Sequence, residues 1–225
     1  MGTRTRRWVV AVTLLLGLLG AVAVAAGTPP EERTFAAVAG PAQSLMSIVV
    51  PLLGVLATAE LRRPSRLVEA LRMIADALTP ALLIAASGVL ICAVVTAVAP
   101  SAAAGGRWAN AGAVVLGSLL VQGVAQLVGI GMGLVMRRPI VAYAATVVLP
   151  LGLWALLGAV AALRPARAWL APFPSVQHLL SGEMNLIRWA QWLTVLALWG
   201  VGLNAIGFAR TARRLRQSDV HVGQR

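Results

Sequence analysis

Small and polar side chains interrupt two of the apolar stretches of this sequence at helical spacing. They are Ser44, Ser47, Pro51, Gly54 and Thr58 in the first stretch, and Ser118, Gln122 and Gln126 in the second. Residues three or four apart share one face of a helix, so each set forms a stripe. Hydroxyl and amide groups on such a stripe either hydrogen-bond to neighbouring helices or line a path for a passing solute. The residues alone leave both interpretations open.

Groups that could perform catalysis are scarce in the same stretches. An intramembrane protease or metal enzyme needs ionisable or nucleophilic side chains at membrane depth. Both histidines, His178 and His221, lie outside the apolar runs, and no Asp or Glu lies inside one. Motifs of zinc proteases, serine hydrolases and ATP-binding loops do not occur, and the chain contains no lysine. We therefore predict no catalytic residue, metal ligand or cofactor here, and an intramembrane enzyme is the weakest functional hypothesis.

The composition predicts an all-α integral membrane protein. Of the 225 residues, 59% are hydrophobic and only 12% are charged, with a mean hydropathy of +0.85. Six apolar runs are long enough to cross a hydrocarbon core of roughly 30 Å as helices. They cover approximately residues 8–26, 42–59, 77–99, 111–136, 139–163 and 189–209. We expect a single transmembrane domain over residues 1–225.

The first apolar run has a second interpretation, a cleaved signal peptide. Small residues around Ala23 and Ala25 imitate a cleavage site. The run is longer than the usual apolar core of a signal peptide, which has roughly 7–15 residues, and we therefore predict a retained span.

The arginines divide unequally between the two sides of a six-span chain. One side receives 14 of them and the other five, namely Arg33, Arg107, Arg164, Arg167 and Arg188. Positively charged residues stay in the cytoplasm during insertion, so both termini are predicted to be cytoplasmic. This topology explains the net charge of +12 better than a nucleic-acid partner does.

Residues 60–76 combine charge with a helical apolar face between the second and third spans. Leu67, Leu71 and Ile74 recur on one side, whereas Glu69 and Arg72 fall opposite. Pro64 suits the first position of a helix. The pattern predicts an amphipathic cytoplasmic helix from Pro64 to Asp76, which either touches a partner or rests on lipid headgroups.

Taken together, these features resemble the permease subunits of type-2 ABC exporters, in the group of small bacterial members. The second span ends Leu-Leu-Gly-Val-Leu-Ala-Thr-Ala-Glu at Glu60, and Pro-Ser-Arg follows at residues 64–66. The fourth span ends Gly-Met-Gly-Leu-Val-Met-Arg-Arg at Arg138, and the sixth runs into Arg213-Arg214 and Asp219-Val220. The chain has fewer residues before the Pro-x-Arg than most members have, and it lacks their amphipathic helix ahead of the first span.

The resemblance implies a protein of the bacterial plasma membrane that exports a hydrophobic or amphipathic substrate by alternating access. Its expected partners are a separate ATPase subunit, which holds ATP and Mg, a second identical or homologous permease subunit, and membrane lipid, but no nucleic acid. Residues expected to couple the chain to the ATPase are Glu60, Arg62, Arg63, Arg66, Glu69 and Arg72. Because the family places the second and fifth spans near the path, the resemblance makes Ser44, Ser47, Gly54, Thr58, Tyr143 and Trp154 possible lining residues. The polar stripe of the fourth span adds Gln122 and Gln126.

Two alternatives accompany that hypothesis. The segment from Pro172 to Met184 resembles the short extracytoplasmic helices of the family, with Gly182 as a stop, but by itself it fits a surface hairpin equally. The chain as a whole also fits a non-transporting membrane scaffold or assembly factor, whose basic cytoplasmic face holds a soluble partner or anionic lipid.

Overall fold

Every regular element in the described part of the chain is helical. The structure, a computed structural model, describes residues 3–60, 67–136, 138–210 and Arg213. The first five helices are α1 (Thr3–Gly27), α2 (Phe35–Glu60), α3 (Leu67–Val98), α4 (Ala111–Val135) and α5 (Pro139–Ala159). A 3₁₀ turn (Ala161–Ala166) leads to the short helices α6 (Arg167–Leu170) and α7 (Pro172–Ser181). The last helix, α8 (Leu186–Val195), continues through a π-helical segment (Leu196–Gly202) and returns to α-helix as far as Arg210.

Six helices among these residues are long and apolar enough to cross a membrane. They are Arg4–Gly27, Phe35–Thr58, Ile74–Val98, Ala111–Val135, Pro139–Ala159 and Leu186–Arg210. The predicted number of spans is confirmed, and the chain is a multi-pass membrane protein.

The second span begins earlier than the hydropathy pattern predicts. It starts at Phe35 and not near residue 42, because Thr34 caps it: the Thr34 hydroxyl oxygen accepts the Ala37 N–H at 3.2 Å. The Phe35 N–H donates to the Arg107 carbonyl at 2.7 Å and so fixes the entry to α2. In the sixth span the Asn185 side chain plays the same capping part, accepting the Arg188 N–H at 2.9 Å.

The amphipathic segment does not form an element of its own in the described residues. Helix α3 starts at Leu67 and continues without a break through Asp76 into the third span. Its 32 residues give a length of about 48 Å, well beyond the roughly 30 Å of hydrocarbon. Residues 61–66, where we expected the helix to open, lie outside the described residues.

The helices are antiparallel, so the loops gather at two ends of the bundle. At one end, the Ala102 N–H donates to the Pro30 carbonyl at 2.8 Å, and Gly182 packs beside Asn110. This end carries the α1–α2 loop, the α3–α4 loop and residues 160–185, and we call it the arginine-poor end. The opposite end, where Thr58 of α2 lies against Gly133 of α4, is the arginine-rich end.

Helices α2 and α4 form the centre of the bundle. Helix α2 contacts α1, α3, α4, α5 and α7, and α4 contacts α2, α3, α5, α7 and the π-helical segment. Glycine makes the approach close: a Cβ on Gly54 would lie only 2.5 Å from the Gln126 carbonyl oxygen, and one on Gly129 would overlap the Pro51 carbonyl. In contrast, α5 exposes most of its apolar surface, including Ile140, Val148 and Leu156.

Candidate functional site

Three glutamine side chains join the central helices inside the bundle. Gln122 Nε2 donates to both the side-chain and the backbone carbonyl oxygen of Gln43 at 3.0 Å, which ties α4 to α2. Gln43 Nε2 donates to the Ala85 carbonyl at 3.3 Å, and Gln126 Nε2 to the Ala77 carbonyl at 2.8 Å, both on α3. All three side chains are completely buried. Sequence reasoning missed Gln43, although a glutamine within an apolar run is itself a signal that the amide has a partner.

The amide cluster is closed in this structure. Because Gln122 and Gln126 have no exposed surface, neither lines an open path here. Their Oε1 atoms accept no hydrogen bond from the described residues. The cluster therefore holds α2, α3 and α4 together. It leaves two buried oxygen atoms without a hydrogen bond, and a polar group would reach them only if these helices separated.

The small-residue stripe of α2 divides into two parts. Gly54 and Thr58 press against α4 near the arginine-rich end, as the packing interpretation expects. Ser44 and Ser47 are half-buried, and their hydroxyls donate to the Gly40 and Ser44 carbonyls of their own helix at 2.8 and 2.7 Å. The serine part of the stripe, Ser44 and Ser47, keeps some exposed surface, as Thr58 does at the other end.

Tyr143 and Trp154 share one half-buried face of α5. Eleven residues apart, they differ by about 20° around the helix and by roughly 16 Å along it. The Tyr143 hydroxyl donates to the Ile48 carbonyl at 3.1 Å, one residue beyond Ser47. The structure therefore brings together α5 and the serine part of α2, while it leaves Gln122 and Gln126 inside the closed cluster.

Trp154 belongs to a cluster at the arginine-poor end. The Arg167 guanidinium carbon lies 3.5 Å from the centre of the Trp154 ring, and the Phe173 ring meets the same indole edge-on with centroids 5.5 Å apart. A cation over an indole face is attracted by the negative charge of the ring. The spacing of these residues in the sequence gives no signal of this contact.

Helices α6 and α7 fold back onto the spans and do not form a surface hairpin. Ala171, Leu179 and Leu180 are at most 2% exposed, and the Leu179 backbone packs directly on Gly117 of α4. The Trp199 indole N–H donates to the Leu170 carbonyl at 2.9 Å and attaches the sixth span to the same segment. Gly182 ends α7 with φ 74°, a left-handed conformation that favours glycine, so the predicted stop is confirmed.

The other arginines of the arginine-poor end hold backbone carbonyls. Arg33 donates to Thr28 and Pro100, Arg107 to Ala97, Arg164 to Gly158 and Arg188 to Glu183. Thr28, Ala97 and Gly158 lie where α1, α3 and α5 end, so these guanidinium groups satisfy carbonyls that a helix end leaves unpaired.

The arginine-rich end differs. Its described arginines are all exposed and take part in no hydrogen bond or ion pair with the described residues: Arg4, Arg6, Arg7, Arg72, Arg138, Arg210 and Arg213. Of the residues predicted to couple the chain to an ATPase, Arg72 is therefore available to a partner. Glu60 is the last residue of α2 and Glu69 lies in the first turn of α3. Arg62, Arg63 and Arg66 lie outside the described residues.

No metal centre accompanies these features in the described ranges, where no three His, Cys, Asp or Glu side chains lie together. Comparisons of the chain with known protein families, with curated proteins and with solved structures find no significant match. Three features of the described residues bear on function: a closed amide cluster, a half-buried α2–α5 face and a basic end whose described arginines contact no described partner.

Proposed function

We propose that this chain is the membrane-spanning subunit of an ATP-driven ABC exporter. It moves a hydrophobic or amphipathic substrate outward, and a separate ATPase subunit supplies the energy. The observation that carries the proposal is the arginine-rich end, whose seven described arginines are exposed and have no hydrogen-bond or ion-pair partner among the described residues. Such a surface at a membrane face attracts an acidic protein partner. The other support is the resemblance in topology and in the motifs around Glu60 and Arg138.

The coupling element in this proposal is the part of α3 that precedes the apolar span. Arg72 and Asp76 are exposed there, and the helix is unbroken from them into the third span. A partner that pushes on this end moves the third span directly, because a continuous helix transmits displacement along its axis. Through Ala77 and Ala85 the same helix accepts the glutamine hydrogen bonds of α2 and α4. In this proposal, displacement of α3 at Arg72 would therefore strain or break the hydrogen bonds of the closed amide cluster.

The substrate path in this proposal runs along the half-buried face of α5 and the serine part of α2. Tyr143 and Trp154 offer aromatic surface, and Ser44 and Ser47 offer hydroxyl groups. A second permease subunit completes the path against α5, which buries the smallest share of its span.

The first test is whether an ATPase accompanies the chain. We expect a tagged chain, purified from its own membrane in mild detergent, to bring with it a protein that a photoreactive ATP analogue labels. Arg72→Glu should abolish this association, whereas Arg138→Glu, an equally exposed arginine at the same end, should largely keep it. Absence of any labelled protein with the wild-type chain would reject the exporter proposal.

The same pair of variants distinguishes the exporter from a second candidate function, a membrane scaffold that binds anionic lipid. The unpaired arginines favour it too, because each adds about 1 kcal/mol of attraction to an anionic surface. Lipid attraction depends on total charge, so Arg72→Glu and Arg138→Glu should then weaken vesicle binding alike. Equal losses without an ATPase partner would favour the scaffold.

The path is tested with two bulky substitutions on α2. Gly54→Leu should prevent accumulation of the folded protein, since overpacking costs about 1–3 kcal/mol or more and the Gln126 carbonyl leaves no room for a Cβ. Ser47→Leu should assemble normally and slow or redirect efflux of an amphipathic dye such as ethidium. Normal efflux by a well-expressed Ser47→Leu protein would remove this face from the path.

A further inference from the structure

An apolar cavity of about 490 Å³ lies between α1 and α3 at the arginine-poor end. Its volume falls in the range of roughly 300–1,000 Å³ that is common for ligand sites. The walls are Val22, Ala25 and Ala26 of α1 and Val94, Val95 and Val98 of α3. No polar side chain interrupts these walls between the two helices, so the cavity suits hydrocarbon.

The cavity opens toward the membrane. Val22, Val94 and Val98 are 49%, 55% and 80% exposed, and all three lie in helices long and apolar enough to span a membrane. We infer that this exposed apolar surface faces lipid. An occupant that enters from this side comes from the bilayer, where acyl chains are the abundant apolar group.

Arg33 closes the cavity where the α1–α2 loop leaves the membrane. Its Nη1 donates to the Pro100 carbonyl at 2.7 Å and its Nη2 to the Thr28 carbonyl at 2.6 Å, which fixes the guanidinium in place. A guanidinium has five N–H donors, and its buried Nε has no partner among the described residues. No described carboxylate lies within 4.0 Å, although Glu31 and Glu32 are adjacent in sequence. A fixed, unneutralised positive charge therefore stands at the polar end of an apolar cavity.

We propose that this groove binds one phospholipid, with an acyl chain between α1 and α3 and the phosphate at Arg33. An apolar wall that ends in a cation matches a molecule whose apolar chain ends in an anion, and arginine pairs well with phosphate. Arg33 follows α1 by six residues and so lies at the depth of the headgroups. The proposal does not depend on the exporter function, because it uses only the α1–α3 face.

The experiment uses the purified full-length chain in dodecyl maltoside, a detergent without phosphate. Phosphatidylglycerol and diacylglycerol, each with a photoreactive diazirine in one acyl chain, serve as paired probes, and cross-linked peptides are mapped by mass spectrometry. We expect phosphatidylglycerol to label residues 22–26 and 94–98 about tenfold more than diacylglycerol does, the order expected for one charge-assisted hydrogen bond.

Three variants sharpen the result. Arg33→Gln should abolish the preference for phosphatidylglycerol, whereas Arg164→Gln, which removes a guanidinium at the same end but outside the cavity, should keep it. Ala26→Trp should fill the groove and reduce labelling by both probes, while Val148→Trp on the exposed face of α5 should not.

Labelling of the wild-type chain by the two probes is enough to overturn the proposal. The test therefore does not depend on whether each variant folds. Equal labelling of the groove by both probes would mean that Arg33 recognises no phosphate. Labelling spread evenly over the exposed faces of α1, α3 and α5 would mean that no lipid site exists there.

Discussion

At the arginine-poor end each of the five arginines has a partner within the chain, whereas at the arginine-rich end none of the seven described arginines has a partner among the described residues. Helices end at both places, so the difference does not follow from unpaired helix carbonyls alone. The arginines at the first end therefore stabilise the fold, whereas the described arginines at the second end make no comparable contacts with the described residues. The count of 14 arginines on one side against five on the other therefore understates the difference between the two ends, because the five are placed by contacts within the fold.

The largest expected effect is the all-or-none labelling that fixes which end faces the cytoplasm. In a Cys92→Ala background, Gly105→Cys should react with an impermeant maleimide in intact cells, because this loop residue is exposed. Arg138→Cys should react only after the membrane is permeabilised. Reversed labelling would put the unpaired arginines outside the cell and remove the proposed ATPase contact. Ser175 of α7, at the same end as Gly105, would be a poor site for labelling because it is only 3% exposed.

The next effect is on stability and compares the two ends directly. Arg107→Gln should lower the free energy of unfolding by about 1.5 kcal/mol, since it removes a charged hydrogen bond of 2.8 Å to the Ala97 carbonyl. The melting temperature in detergent should fall by roughly 3–6 °C. Arg6→Gln at the other end should change it by less than about 1 °C. Equal shifts would contradict the contrast between the ends.

A smaller effect is expected for the Arg167–Trp154 contact. The pair should contribute about 0.5–2 kcal/mol, the range for a cation over an indole in a partly desolvated setting. A double-mutant cycle with Arg167→Gln and Trp154→Leu measures this coupling without counting the buried area of either side chain. A coupling energy near zero would leave Arg167 without a role in the fold.

The smallest effect concerns acid. Burial lowers the pKa of His178 below its ordinary 6.5, and the nearby Arg188 guanidinium lowers it further, while Glu183 opposes the shift. The unfolded chain then binds the proton more readily than the folded chain does. The stability that neutral His178 contributes is therefore fully present above the unfolded pKa of 6.5. It is lost as the pH falls through the lower pKa of the folded chain. His178→Gln should flatten the fall in melting temperature between about pH 7.5 and pH 5. An unchanged slope would show that His178 is not the group responsible.

The number of spans and their polar stripes were predictable because hydropathy and helical spacing are local properties of the sequence. The start of α2 was not, because it depends on the Thr34 cap and on a carbonyl of Arg107, 72 positions farther along. Gln43 and Gln122 likewise meet across 79 positions. Periodicity shows which residues share a face of a helix, but the packing of the helices decides which element that face contacts. The exporter hypothesis itself stays a prediction.

The π-helical segment Leu196–Gly202 is expected to let the sixth span tolerate loss of one residue. A π-helix bonds each N–H five residues back and so holds more residues per turn than an α-helix does. We expect loss of one residue here to be absorbed by a return to α-helical winding, with Trp199 or its replacement and Asn204 still facing their neighbours. The same deletion in α2 would turn everything beyond it by about 100° and carry Gly54 away from α4. Single-residue deletions acquired during evolution are thus expected in the sixth span before they are found in the second.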